Sequence, residues 1–510
     1  MEIALDRTTG VPLSRQIADA VRGAVLAGTL PAGERLPAER ALALKLGVDR
    51  MTVARAYEDL AGSGWLIRHV GRGSFVLDPP RGGPAPASPS RSVAPAGGGM
   101  LWSSAFATRA SGLVPGATAA LHTSPADGAI NLSSHFPDST LFPVDAFRRA
   151  LDAVVRRERG RLFGYGAAGG YAPLRRQIVE TLRARGIDSE ERDVVITNGS
   201  QQGIDLVARA LLDPGDRVAV ENPTYTGAVQ VFQSHGARVL GVPVDEEGMI
   251  PARLEEAVSR SGAKLVYIIP NFQNPTSGTM SLARRRAILD VASRQRLPVL
   301  EDDFGGDLRF EGDELPALKA LDGGGGVIYL GSFAKKLFPG IRIGWLAAPR
   351  EAAERIAALK QITDWNTSLL LQAALHEFCR RGDLDRHLRK AAAIYRARRD
   401  AMVESMSAHF PKAARFTRPA GGLVVWVTLP PGLDADEIAT EAQGKGVFVG
   451  RGDLFYVDGG THNNLRLVYA QAEPPEIRKG IKILGSILHR KVRERRTSAA
   501  SAAAASLPII

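Results

Sequence analysis

The sequence predicts two folded units of different class: three short helices closed by a β-hairpin, then a large α/β unit on a mostly parallel sheet. Three observations predict it. Apolar residues recur at helical spacing through the first unit and then give way to two short β-runs. Composition changes sharply at Asp78, where PPRGGPAPASPSRSVAPAGGG holds too few large apolar side chains to offset its ordering entropy. Further on, continuous apolar strands alternate with helical segments, the pattern of a parallel sheet covered on both faces. A chain of 510 residues also exceeds what one core serves. The expected divisions are 1–77, a Pro/Gly/Ala/Ser-rich linker over 78–125, 126–490, and a basic then Ser/Ala-rich tail over 491–510.

In the first unit, Leu13, Ile17, Val21 and Val25 fall at helical spacing, and Gly28 ends the pattern. Pro37 suits the first turn of a second helix, AERALALKL, which Gly47 closes. Asp49 suits the cap of a third, RMTVARAYEDLAGSG, whose Val53, Ala56, Tyr57 and Leu60 make an inward stripe. WLIRHVGRGSFVL then reads as two strands around Gly71, Arg72 and Gly73, a hairpin signal. Three helices and a hairpin describe a winged helix-turn-helix; the plain alternative is a small helical adaptor. The cations favour the former. Arg50, Thr52 and Arg55 take the start and outer face of the third helix, the part of a recognition helix that reaches base edges. Arg40 sits early in the second helix, within reach of phosphate, and His69 and Arg72 bracket the hairpin tip. Arginine bonds guanine O6 and N7 in a bidentate way, so a double-stranded DNA operator is the expected partner.

Bulk properties exclude other classes. No apolar run approaches the ~18 residues of a membrane span, and MEIALDRTTGVPLSRQ lacks a signal-peptide profile. A single cysteine, Cys379, rules out an internal disulfide framework and reads as a helix-packing thiol. The nine histidines show no metal-ligand spacing, so no metal is expected. A cytoplasmic location follows. Of the net charge of +11, residues 1–77 carry +2 and residues 478–510 carry +7, so most of the excess lies in the C-terminal end with its run RKVRERR, read as a solvated helix end.

In the large unit, VVIT (194–197), RVAVE (217–221), KLVYIIP (264–270), LPVLEDD (297–303) and GVIYLGS (326–332) are the strands, with helices such as 200–212 and LARRRAILDVASRQ between them. Ligands gather at the carboxyl ends of such strands. GVIYLGS delivers SFAKKLFPGIRIGW, a lysine just beyond a strand with an arginine seven residues later. LPVLEDD ends in carboxylates, KLVYIIP runs into NFQNPTSG, and VVIT runs into NGSQQ, which opens a helix whose N-terminus favours an anion. Lysine, buried carboxylate, amide and phosphate cradle together fit pyridoxal 5′-phosphate (PLP).

PAGERLPAERALALKLGVDRMTVARAYEDLAGSGWLIRHVGRGSFV resembles the GntR-type winged helix, and residues 130–490 resemble the fold-type I, class I aminotransferases, a mostly parallel sheet with a small C-terminal domain. Joined, they resemble the MocR/GabR family of PLP-dependent transcriptional regulators. The resemblance implies that Lys335, in the pattern S-F-x-K-x-x-x-P-x-x-R, is the Schiff-base lysine. It implies that Ser332, Arg342, Ser200 and Gln201 hold the phosphate and that Asp302 partners the pyridine nitrogen. Asn274 would bond the phenolic oxygen and Tyr225 would stack on the ring. Tyr165, in FGYGAAGGY, would reach a neighbouring subunit's phosphate in a homodimer, and Arg466, in NNLRLVYA, would pair with a substrate carboxylate.

Neighbouring residues have plainer readings. Lys336 is expected at the surface, and Asp303 is expected to face away from Asp302 as a cap. Three positions depart from the family: Phe304 stands where relatives carry a tyrosine, Ala334 replaces a small hydroxyl residue, and His135 of SSHFPD borders the substrate side. The implied function is a DNA-binding regulator that senses an amino compound through an external aldimine. The alternative is an active aminotransferase with an accessory winged helix; Phe304 and His135 suggest slow turnover.

Overall fold

A computed structural model of the chain describes residues 13–26, 29–31, 33–62, 65–69, 73–76, 107, 128–460 and 463–505. These fall into two units, Met1–Leu101 and Trp102–Ile510.

The small unit contains α1 (Leu13–Leu26), α2 (Glu39–Leu46) and α3 (Arg50–Gly62), then β1 (Leu66–His69) paired antiparallel with β2 (Gly73–Val76). Its core joins Ile17 and Val21 of α1 to Leu42 of α2 and to the stripe Val53, Ala56, Tyr57 and Leu60 of α3, all buried. Gly47 closes α2 with a left-handed φ of 63°, a conformation glycine adopts without steric cost. Asp49 starts α3 by accepting the Met51 amide at 2.7 Å. Pro37 does not open α2: Ala38 is still extended (ψ 143°), and the Pro37 carbonyl accepts the Tyr57 hydroxyl at 2.9 Å instead. Gly28, the hairpin tip with Arg72, and the segment 78–125 apart from Ala107 lie outside the described residues.

The large unit is built on an eight-stranded sheet with β4 (Val194–Thr197), β5 (Arg217–Asn222), β6 (Arg238–Asp245), β7 (Gly248–Met249), β8 (Leu265–Ile268), β9 (Val299–Asp303), β10 (Val327–Ser332) and β11 (Gly344–Ala347). Their spatial order is β4-β11-β10-β9-β8-β5-β6-β7. The central run from β10 to β6 is parallel, while β11 and β7 run against their neighbours, so the sheet is mixed but mostly parallel. Strands β4, β8, β9, β10 and β11 are buried at every position because helices cover both faces. One layer packs Ile204, Val207, Leu330 and Leu346 together, and the other packs Ile196, Phe333, Trp345 and Phe378.

A second sheet forms the small C-terminal part. Its order is β12-β13-β15-β14-β3, from β3 (Ile130–Leu132), β12 (Arg415–Phe416), β13 (Val424–Thr428), β14 (Val447–Arg451) and β15 (Asn464–Val468). The joining of β3 to β14, with Ile130 opposite Val447, was not visible in the sequence pattern. It brings the segment after β3 to the main sheet's carboxyl ends, where Asp138 is pinned by Arg398 at 2.7 Å. The expected boundary at 490 falls inside a continuous helix, Pro474–Ala505. Its basic stretch pairs locally, Lys491 with Glu437 at 3.2 Å and Arg490 with Glu441, which explains why helix continues there. No helix among the described residues is long and apolar enough to cross a membrane.

Candidate functional site

One cavity of about 200 Å³ opens at the carboxyl ends of the parallel strands. It is lined by the ten residues expected at the chain's own site: Lys335, Asp302, Asn274, Tyr225, Ser200, Gln201, Ser332, Arg342, Arg466 and His135. They come from seven chain segments, which β3, β8, β9 and β10, the helix start at Ser200, the turn after β5 and β15 deliver to one place.

Lys335 follows β10 directly, and its Nζ donates to the His135 carbonyl on the segment after β3. Burial, with Arg466 nearby, lowers the lysine to about 7, so much of it is an unprotonated amine at neutral pH. Asp302 ends β9 facing the cavity. Its Oδ2 accepts the Tyr267 hydroxyl at 2.7 Å, while its buried Oδ1 has no partner. Burial lifts this carboxyl to about 7, and Tyr267 only partly offsets that. A cationic ring N–H at Oδ1 would supply both the missing hydrogen bond and the opposite charge. Tyr225 donates to Gln201 Oε1 at 3.1 Å, and Gln201 in turn donates to the Gly227 carbonyl at 2.8 Å. A Cβ on Gly227 would meet the Tyr225 ring at 2.4 Å, so glycine there lets the ring lie flat against the helix start. Arg342 holds a positive φ of 51° and donates to the Asn198 carbonyl at 2.9 Å, which holds its guanidinium beside Gly199 and Ser200. Two adjacent helix-start residues, a serine at the end of β10 and an arginine form the donor set a phosphate requires. The residues present therefore fit PLP.

Arg466, which also lines the cavity, is 3% exposed. Its Nη1 donates to Asn274 Oδ1 at 3.2 Å and its Nη2 to the Ser133 carbonyl at 2.9 Å, while Nε is buried without a partner. Its guanidinium stacks 4.6 Å from the Phe455 ring centroid. Burial lowers it to about 10, still charged at neutral pH. His135 meets Phe304 edge to face at 5.8 Å. Burial first, then Lys335 and Arg466, push this imidazole well below its ordinary range, so it is neutral.

Two expectations change. Lys336 is 7% exposed, not at the surface: it pairs with Asp307 at 2.6 Å and lies over Phe333 and Trp345 at 4.8 and 4.7 Å. Successive residues after β10 point to opposite sides, and on that side Asp307 waits in the interior. Asp303 does face away from Asp302, but it caps nothing; it accepts the Tyr329 hydroxyl at 2.6 Å and the Asn271 amide at 2.9 Å. Tyr165, expected to serve a neighbouring subunit, is not among the residues that line its own chain's cavity. It is 83% exposed and stacks on Trp365 at 5.0 Å. Sequence reasoning also missed Phe136 and Phe455 on the cavity wall and Tyr267 behind Asp302. Only Tyr267 left a signal, a tyrosine inside an otherwise aliphatic buried strand, which needs a hydroxyl partner.

In the small unit, Arg50 and Arg55 are exposed on α3 and Thr52 is half-buried. Arg50 pairs with Glu39 of α2 at 3.4 Å while remaining 61% exposed. Arg40 lies on α2 and His69 ends β1.

Fold and cavity together define a class: a winged-helix head on a fold-type I aminotransferase body built to bind PLP. Comparison with known proteins agrees. Residues 13–76 match the family described as bacterial regulatory proteins, gntR family, and residues 128–484 match aminotransferase class I and II. The chain is 32% identical to the probable rhizopine catabolism regulatory protein MocR of Rhizobium meliloti, over 95% of each chain. It is 33% identical to the transcriptional regulator TauR of Rhodobacter capsulatus, over 92% of this chain and 95% of that one. The solved structure of LysN, an alpha-aminoadipate aminotransferase from Thermus thermophilus bound to N-(5′-phosphopyridoxyl)-L-leucine, is 36% identical. It matches with a TM-score of 0.72, covering 77% of this chain and all of that one. The chain belongs to the MocR/GabR-type family of PLP-dependent, GntR-class transcriptional regulators.

Proposed function

We propose that this regulator senses an amino compound bearing a carboxylate in the Lys335 cavity, and that occupancy changes the affinity of a homodimer for its operator. One observation carries the reading: a lysine amine and a buried arginine without a carboxylate partner line one cavity. When bound, PLP supplies an aldehyde that condenses with amines and a ring that withdraws electrons. The chain's residues set the rest. Asp302 Oδ1 accepts the ring N–H, and Ser200, Gln201, Ser332 and Arg342 hold the phosphate. Asn274 and Tyr225 fix the ring's edge and face. Arg466 orients the carboxylate of the amino compound, while Phe136, Phe304 and Phe455 keep water from it. Tyr165 would complete the phosphate site of a second copy, so the cavity is whole only in the dimer. The protein would act in the cytoplasm, where its operator is.

The effector acts only by binding two arrangements of the dimer unequally. A typical coupling of about 1–3 kcal/mol would change operator affinity by roughly 5–150-fold. The unprotonated Lys335 amine also favours a second reading, an active aminotransferase, because that group is able to take the substrate Cα proton. Absorbance titrations with amino compounds, run beside operator gel shifts, separate the two. A spectral change with a shift in DNA affinity and no keto acid-dependent turnover supports the sensor. Rapid multiple turnover without any DNA effect makes it an enzyme.

Two substitutions extend the test. Arg466→Gln should weaken binding of carboxylated amino compounds by roughly 10–100-fold, the worth of hydrogen bonds to a charged group, and leave simple amines unaffected. Equal losses for both would remove Arg466 from carboxylate recognition. Arg55→Ala should lower affinity for one preferred duplex by about 1–3 kcal/mol while barely changing binding to random DNA. Unchanged preference would take Arg55 out of the interface.

A further inference from the structure

The outward line of α3 does not begin with Arg50. The buried stripe Val53, Ala56, Tyr57 and Leu60 sets the inner face, and on a helix of 3.6 residues per turn the positions opposite it are Met51 and Arg55 in its first half, followed by Glu58 and Gly62. Four residues apart, Met51 and Arg55 stand one above the other. Arg50 lies to the side and leans on Glu39. Met51 is 71% exposed, although Asp49 fixes its backbone by accepting its amide at 2.7 Å. An exposed apolar residue alone means little. This one stands in the first turn of the helix that a GntR-type unit presents to DNA, with a cation directly behind it.

We infer that Met51 is a specificity-determining residue that reads a thymine 5-methyl group. The floor of the major groove offers hydrogen-bonding edges and one apolar group, that methyl. A thioether side chain has no N–H or O–H to donate to a base edge, and it is flexible enough to seat on a methyl. Arg55 on the same line would take an edge or phosphate next to it. Each half-site should then contain one thymine chosen for its methyl alone, close to the base that Arg55 reads. The assignment rests on the reading of α3 as the DNA-reading helix.

The test uses the full chain loaded with PLP and a duplex enriched by it from a randomised pool. Each thymine of that duplex is replaced in turn by deoxyuridine, which pairs identically and lacks only the methyl. At one thymine per half-site the replacement should weaken binding about fourfold, the worth of removing one buried carbon. In Met51→Ala, and in Met51→Gln, thymine and deoxyuridine duplexes should bind alike. Thermal melts of both variants should match the parent, because the side chain is outside the core. No deoxyuridine effect at any position, or the same effect in both variants, overturns the assignment of Met51 while leaving α3 as the reading helix. Failure to enrich any sequence overturns the DNA-reading role itself, and this inference with it.

Discussion

After borohydride reduction of the PLP-loaded protein, a pyridoxyl group is expected on Lys335 and on no other lysine. Lys335→Ala should carry none and should lose its yellow colour, whereas Lys336→Met should keep both. The two residues are adjacent, yet the structure separates them completely. Lys335 Nζ lies in the cavity, buried and lowered to about 7, so its amine is available as a nucleophile. Lys336 Nζ lies on the other side, 2.6 Å from Asp307 and over two adjoining aromatic rings, where it stays paired. The expected effect is therefore all or nothing in the covalent species, read by peptide mass spectrometry. Label on Lys336 in the parent protein would reverse the assignment of the motif. The same experiment tests Asp302. Asp302→Ala removes the carboxylate whose Oδ1 lacks a partner, so free PLP should dissociate far more readily from that variant.

The second large effect is on stability. Asp307→Ala leaves Lys336 facing a buried hole and removes the nearer partner of Arg185, bound to Asp307 at 2.5 Å. Breaking a buried pair by deleting one member typically costs about 3–5 kcal/mol, because the remaining charge stays desolvated. Arg185 keeps Glu314 at 3.0 Å, so Lys336 is the group left stranded. Combining Asp307→Leu with Lys336→Met should recover much of the loss, since it removes both charges and keeps the volume. Denaturant midpoints of the large unit measure it; a midpoint unchanged in Asp307→Ala would show that the pair contributes little.

The pH dependence carries a definite sign. Lys336 and Arg185 hold the Asp307 carboxyl well below the usual carboxylate range, against the opposing effect of burial. A depressed folded-state value means that the unfolded chain binds the proton more readily. The contribution is thus fully present above about pH 4, the ordinary aspartate value, and is lost as pH falls toward the lower folded value. The gap between parent and Asp307→Ala should be constant from pH 5 to 8 and close in acid.

Much of the site was legible in the chain because its chemistry is packed into short motifs at strand ends. SFAKKLFPGIR places a lysine and an arginine at one strand end, EDDF alternates two carboxylates across a sheet, and NGSQQ opens a helix. Each is local, and local backbone geometry suffices to orient it. The first unit was legible for a similar reason: a four-residue stripe in α3 and turn residues around Gly47 and Gly71 are short-range signals.

The sequence alone therefore determined the two unit types, the strand–helix alternation, the cofactor and most of the residues that line the cavity. Tertiary structure decided what depends on residues far apart in the chain. Lys336 looked like a surface residue because nothing local announces Asp307, 29 positions earlier, as its buried partner. Ser133 reaches Arg466 only because β3, the first strand of the large unit, pairs with β14 more than 300 residues later. Likewise, that Arg50 at the start of α3 leans on Glu39 of another helix was decided by packing. Periodicity marks the face a residue occupies, but the charge or ring it meets there is set by long-range packing, which no local pattern encodes.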